Sequence, residues 1–292
     1  MSHVKLDRLS ALLEGLAPVV TIGTPSEAAL RVEAHRESES GLELHLLISG
    51  RAELKVKGEL QTIESPALLV AQARQALDLQ RLTTEDPCRL IAVHVKLTGP
   101  IAPLFLEEFT QPRTVPLTND EPALGGAMAM IESELNAPRC GQPALLNRAG
   151  DILFIGLLRH LVAHPGAHGN GLFNGLADPR IAKALVAMHQ RPAFGWDLEL
   201  LALEAGMSRT AFATKFHAIM RRPPGKYLAA IRLAIAQRAV DMGQGLKVAA
   251  RLAGYQNSSA LSRALAQSRR QVQKDSHLYS SRPWNFPPTN SA

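Results

Sequence analysis

The chain has 292 residues, 46% of them hydrophobic, enough for two domains with real cores. Its formal charge of +6 hides an asymmetry: residues 178–292 hold 17 Lys+Arg against 6 Asp+Glu, a net of +11, whereas residues 1–177 are at −5. No apolar run is long enough to cross a bilayer, and two cysteines are too few for a disulfide scaffold, which points to a reducing cytoplasm.

The opening MSHVKLDRLSALLEGL has no uninterrupted apolar segment and no cleavage site. It reads as a surface helix with Asp7, Arg8 and Glu14 on its polar side, not as a signal peptide. From about residue 19 to 98 the pattern changes to short runs bounded by Gly, Pro or Asp: LELHLLISG, RAELKVKG, ALLVAQA and CRLIAVHVKL. Ala52, Leu54 and Val56 fall on one face of a strand, with Glu53, Lys55 and Lys57 on the other. Such spacing predicts a β-sandwich or small barrel. A metal site in a barrel needs three or four His/Glu side chains converging from neighbouring strands. Only His45 stands in the first strand region, and PALLVAQARQALDLQ has no histidine. No metal, cofactor or catalytic residue is therefore expected, and the chain does not read as an enzyme. His45 is either a satisfied core residue or an effector contact. Cys88 opens an apolar strand and reads as a buried thiol, and Cys140 follows Arg139; a redox pair between them is the alternative.

After a Pro-rich stretch, ALGGAMAMIESELN and PALLNRAGDILFIGLLRHLVAHP predict two helices. The second is apolar over a broad arc (Leu145, Leu146, Ile152, Leu153, Ile155, Leu157, Leu158, Leu161), which implies burial against a domain core or a second subunit. His160, His164 and His168 recur every fourth residue. Pro165 and Gly166 interrupt any common face, so helix capping is favoured over metal binding. The Gly-rich HPGAHGNGLFNGLADP then reads as an interdomain linker, and Asp178-Pro179 as the cap and first turn of an all-helical remainder.

That remainder contains an internal repeat. ALEAGMSRTAFATKF resembles ARLAGYQNSSALSRAL, with Gly206 and Gly254 in corresponding places. In each copy a short helix ends at Gly, a cap follows (Ser208, Asn257), and a second helix carries apolar residues four apart: Phe212 and Phe216, then Leu261 and Leu265. If those face inward, the outward positions are Arg209, Thr210, Ala213 and Thr214 in one copy and Ser258, Ser259, Ser262 and Arg263 in the other. This predicts two helix-turn-helix units with DNA-facing N-terminal surfaces, small side chains permitting close approach and arginines reaching bases or phosphates.

On WDLELLALEAGMSRTAFATKFHAIMRRPPGKYLAAIRLAIAQRAV followed by GLKVAARLAGYQNSSALSRAL, the chain resembles the DNA-binding domain of AraC/XylS-type transcription regulators. DRLSALLEGL, HLLISGRAELKVKG and PALLNRAGDILFIGLLRHLV are similar to a subgroup with an N-terminal cupin-like β-barrel. The resemblance implies an α+β chain: a cupin-like effector or regulatory domain over 1–115, a helical dimerisation or linker segment over 116–170, a double helix-turn-helix domain over 178–275, and a flexible tail over 276–292. It implies a cytoplasmic regulator, an activator in most of the family, that binds double-stranded DNA as a homodimer. Contact with RNA polymerase and response to a small effector follow from the same resemblance. The sequence departs from the family at its end, where SRRQVQKDSH replaces a Gly-x-Ser-Pro-x-x-Tyr-Arg-like motif. There Arg269, Arg270 and Lys274 offer phosphate contacts in place of base reading. The alternative is a degenerate relative acting as a protein-interaction or weak, non-specific DNA-binding module.

Overall fold

A computed structural model describes residues 7–23, 31–32, 40–81, 88–117, 121–165 and 171–280, without the side chains of 31–32, 81, 269 and 271–280. His168, the side chains of Arg269 and Lys274, and residues 281–292 of the expected tail lie outside that description. The fold is α+β, with antiparallel sheets first and helices after.

The strands are β1 (Pro18–Ile22), β2 (Arg31–Val32), β3 (Gly41–Ser49), β4 (Arg51–Val56), β5 (Glu59–Glu64), β6 (Ala67–Gln72), β7 (Leu77–Arg81), β8 (Arg89–Leu97) and β9 (Arg113–Pro116). One sheet has the order β1-β8-β3-β6-β9 and the other β2-β7-β4-β5. Alternation puts Leu47, Leu69, Ala71 and Leu90 of the first against Ala52, Leu54, Ile63, Leu77 and Leu79 of the second, in one buried cluster. Ala52 and Leu54 point into it, as the sequence pattern predicts.

Among the described residues the two layers stay open, and the expected closed barrel is not formed. The physical reason lies at the edges. β1 begins at Pro18 and β9 ends at Pro116, residues that cannot donate to a further ladder. β1 is packed against a helix, α4 (Gln142–Ala163), so tightly that a Cβ on Gly150 would come 2.7 Å from Val20. α4 therefore packs on the face of β1 that carries Val20 and Ile22.

The helices before α4 are α1 (Ser10–Leu16), α2 (Ala102–Leu106), followed by a 3-10 turn at Glu107–Phe109, and α3 (Pro122–Asn136). Next come α5 (Leu172–Ala177), α6 (Ile181–Gln190), α7 (Leu198–Glu204), α8 (Arg209–Met220), α9 (Pro224–Asp241), α10 (Leu246–Leu252) and α11 (Ser258–Ser280). α5 occupies part of the expected linker. Its Phe173 is buried against Phe105 and Phe109, and Phe105 meets Phe154 of α4, all at centroid distances of 5.2–6.4 Å. The chain has eight phenylalanines, so half of them serve this one cluster and hold α5 in a core.

The chain divides into two compact units, one of residues up to Arg191 plus Trp196–Ile231, the other of Pro192–Gly195 plus residues from Arg232 onward. In the first, α7, α8 and the start of α9 bury Leu201, Phe212, Phe216, Met220 and Tyr227. The second has a core of small residues, Ala236, Ala239, Ala249, Ala250 and Ala253, closed by Leu261 and Leu265.

Candidate nucleic-acid interface

The two helix pairs α7–α8 and α10–α11 are built by the same local rules. Asp197 caps α7 by accepting the Leu200 N–H at 2.8 Å. Where α7 ends, Gly206 takes φ +62, and the Met207 N–H reaches back to the Ala202 carbonyl at 2.9 Å. Gly254 takes φ +75 after α10, and the Tyr255 N–H reaches the Ala250 carbonyl at 2.8 Å. Both turns satisfy the last carbonyls of a helix through a left-handed glycine. The caps follow in register. Ser208 Oγ accepts the Ala211 N–H at 3.4 Å, and Asn257 Oδ1 accepts the Ala260 N–H at 2.8 Å.

Facing follows from this. Phe212, Phe216, Leu261 and Leu265 are buried, the inward positions predicted from spacing. Arg209, Thr210, Thr214, Ser259, Ser262 and Arg263 are exposed, and Ala213 and Ser258 partly so. Each set lies on the first turns of its second helix, with no large apolar side chain in it.

Not all cations of the basic half belong to these two sets. Lys215 pairs with Asp178 at 2.6 Å, Arg222 with Glu107, and Arg191 with Glu204 at 3.4 Å. Arg191 also stacks over the Trp196 ring at 4.9 Å. Arg232 donates to the carbonyls of Pro192 and Phe194 at 2.8 and 2.6 Å. By contrast Arg209, Lys247, Arg251 and Arg263 are exposed and carry no ion pair among the described residues. Helix α11 runs unbroken through SRRQVQKDSH to Ser280, so the departure from the family's closing motif extends a helix and does not end it.

In the N-terminal sheets, His45 is buried on β3 beside a cavity of about 10 Å³ lined by Leu47, Ala52, Ile63, Leu69, Leu79 and Leu90. That is about the size of one water. Sequence reasoning missed a neighbouring feature. Glu43, also on β3 and buried, stands across from His94 on β8, whose Nδ1 is 2.8 Å from the Glu43 carboxylate. The two lie 51 residues apart in the chain, and only strand register joins them. At the end of α4, His164 Nδ1 lies 3.0 Å from the His160 carbonyl and the two rings stack at 4.2 Å. Cys88 is buried at the start of β8 and Cys140 is exposed between α3 and α4.

A second buried pair supports α8 from behind. The Tyr227 hydroxyl and His189 Nε2 are 2.8 Å apart between α9 and α6. Burial lowers the His189 pKa to about 4 and raises that of Tyr227, so both stay uncharged at neutral pH.

Comparison with known proteins matches residues 7–163 to the cupin family. An AraC-like transcription regulator of Streptomyces antibioticus is 33% identical over 142 residues, 48% of this chain and 46% of its own length. The activator RclR of Escherichia coli, specific for RCS by its name, is 24% identical over 225 residues, 75% of this chain and 78% of its own. The chain spans about half the length of the first curated relatives it matches. Among solved structures, fatty-acid-bound ToxT of Vibrio cholerae overlaps with a TM-score of 0.35 at 10% identity, covering 86% of this chain and 91% of its own. The cupin match takes in more than half of the residues, and the relatives are regulators by name; this chain belongs to the AraC-like transcription regulators that carry an N-terminal cupin domain.

Proposed function

We propose that the protein is a sequence-specific, double-stranded DNA-binding regulator, an activator by family habit and not an enzyme. α7–α8 and α10–α11 act as two helix-turn-helix units, and α8 and α11 enter the major groove by their first turns. The observation that carries this reading is the repetition of one turn-and-cap geometry at Gly206–Ser208 and Gly254–Asn257. Both copies lie in the half of the chain with net charge +11, and both leave a small, polar, arginine-bearing face in solvent. Arg209, Thr210, Ala213 and Thr214 form the reading surface of one unit, and Ser258, Ser259, Ser262 and Arg263 that of the other. The N-terminal sheets and α3–α4 serve effector sensing and homodimerisation, and contact with RNA polymerase completes activation. His45 remains the effector contact in this scheme. It requires the sheets to part, because the space beside it has the size of a water.

Selection of genomic fragments by the full chain, followed by titration of the recovered sequence at several salt concentrations, tests the reading. One enriched motif, bound more tightly than unrelated DNA, is expected. Equal affinity for unrelated DNA favours the second reading, a non-specific or interaction module. That reading draws its support from the helical, basic extension of α11 where the family's closing motif would stand.

A further inference from the structure

We infer that α5 is a coupling element that transmits the state of the N-terminal sheets to α8. This six-residue helix is held at both ends by side chains from the N-terminal part of the chain. At its start, the Glu108 carboxylate accepts the Leu172 N–H at 2.8 Å. The fit is close enough that a Cβ on Gly171 would collide with that carboxylate. At its end, the Arg8 guanidinium donates to the carbonyls of Leu176 and Ala177 at 2.9 and 3.0 Å. An anion thus meets the N–H end and a cation the C=O end, the arrangement that satisfies the unpaired backbone groups of a helix.

The opposite side of α5 bears on α8. A Cβ on Gly175 would lie 2.5 Å from the Met220 sulfur, so α5 and the last turn of α8 are in direct contact through a glycine notch. Asp178, which follows α5, caps α6 through the Arg180 and Ile181 N–H groups at 3.0 Å. Its other oxygen pairs with Lys215, in the middle of α8. Just past α8, Arg222 returns to Glu107, the residue beside Glu108. Glu107 and Glu108 share one 3-10 turn that follows α2, and α2 packs on β3. A shift of that turn therefore moves the start of α5 through Glu108 and the chain beyond α8 through Arg222. Burial raises the Glu108 pKa, while the Leu172 N–H and Arg113 oppose the rise. The carboxylate is thus held in a dry site by the contacts it makes to α5.

Hydrogen exchange on the full chain tests the coupling without reference to DNA. In Arg8→Ala and, separately, Glu108→Gln, the amides of α5 should exchange at least about fivefold faster, because a charged partner of its terminal groups is gone. The amides of α8 should speed up with them. Faster α5 with unchanged α8 overturns the inference, and so does unchanged exchange in α5 itself. Arg8→Lys, which keeps the charge, should restore part of the protection in both helices. The consequence for function rests on reading α8 as a DNA-facing helix. Affinity of Arg8→Ala for the selected DNA fragment should change at least about threefold, although Arg8 lies outside the reading surface. Coupled exchange with unchanged affinity keeps the mechanical link and removes α8 from the DNA reading.

Discussion

Arg263 stands exposed in the second turn of α11 among serines, with no acid beside it in the described residues. Such a side chain is free for a guanine edge or a phosphate, and substitution separates the two. If it reads a base, Arg263→Ala weakens specific binding by about 1–3 kcal/mol and relaxes preference at one position. If it touches a phosphate, all sequences lose alike and the salt slope falls by about one. No change in either quantity removes it from the interface. Buried residues make a different prediction. His189 has a folded pKa of about 4, below its ordinary 6.5, so the folded chain refuses a proton that the unfolded chain accepts. Its contribution to stability is whole above pH 6.5 and is lost as pH falls from 6.5 to 4, about 3 kcal/mol in all. Denaturant titrations at pH 7 and 4.5 should show a smaller drop in His189→Leu than in the parent chain; equal drops would place the acid sensitivity elsewhere. Arg263 and its neighbours were legible in the sequence because spacing from buried Phe and Leu positions fixes a helix face. The pairs His189–Tyr227 and Glu43–His94 were not, because each joins elements far apart in the chain.

At the scale of elements, the two glycine turns share a backbone and differ in surroundings. Gly206 has open space where a Cβ would go, so Gly206→Ala meets only the left-handed backbone penalty, about 1–2 kcal/mol. At Gly254 a Cβ would lie 2.6 Å from the Ala193 Cα and 2.8 Å from its carbonyl oxygen, a backbone that cannot rotate aside. Gly254→Ala should therefore be the more damaging change. Local exchange around α10 and the start of α11 should rise further than exchange around α7 does in Gly206→Ala. Equal effects would mean that the loop yields without loss. Both turns could be read from a Gly followed by a cap and an i, i+4 apolar pair. α5 could not, because the glycines and asparagines around it signal a loop locally. Its helix exists through Phe173 in the phenylalanine cluster and through end contacts with Glu108 and Arg8, 64 and 168 residues away along the chain. The open sheets were hidden for a similar reason, since strand alternation predicts layers but not whether their edges join.

For the whole molecule, the division of charge sets the terms of DNA binding. An acidic first part is repelled by a polyanion, and the basic remainder is attracted. Several of its cations are engaged internally, so fewer are available than the net of +11 suggests. With Arg209, Lys247, Arg251 and Arg263 each neutralising one phosphate, log affinity should fall against log salt with a slope of at least about 3. A slope near zero would be incompatible with these four side chains meeting DNA. Among the described residues no helix is long and apolar enough to cross a membrane.

The segment Pro192–Gly195 belongs to the second unit. It lies between α6 and α7 in sequence, yet Arg232 grips two of its carbonyls and Gly254 packs on a third residue of it. The polypeptide therefore crosses the unit boundary three times, and no single cut separates the parts. A gene fragment beginning at Trp196 would leave behind the four residues that seat α9 and the turn after α10. One beginning at Asp178 keeps them. Swaps of N-terminal and C-terminal parts between such chains should succeed or fail on whether the cut leaves that segment with α9 and α10.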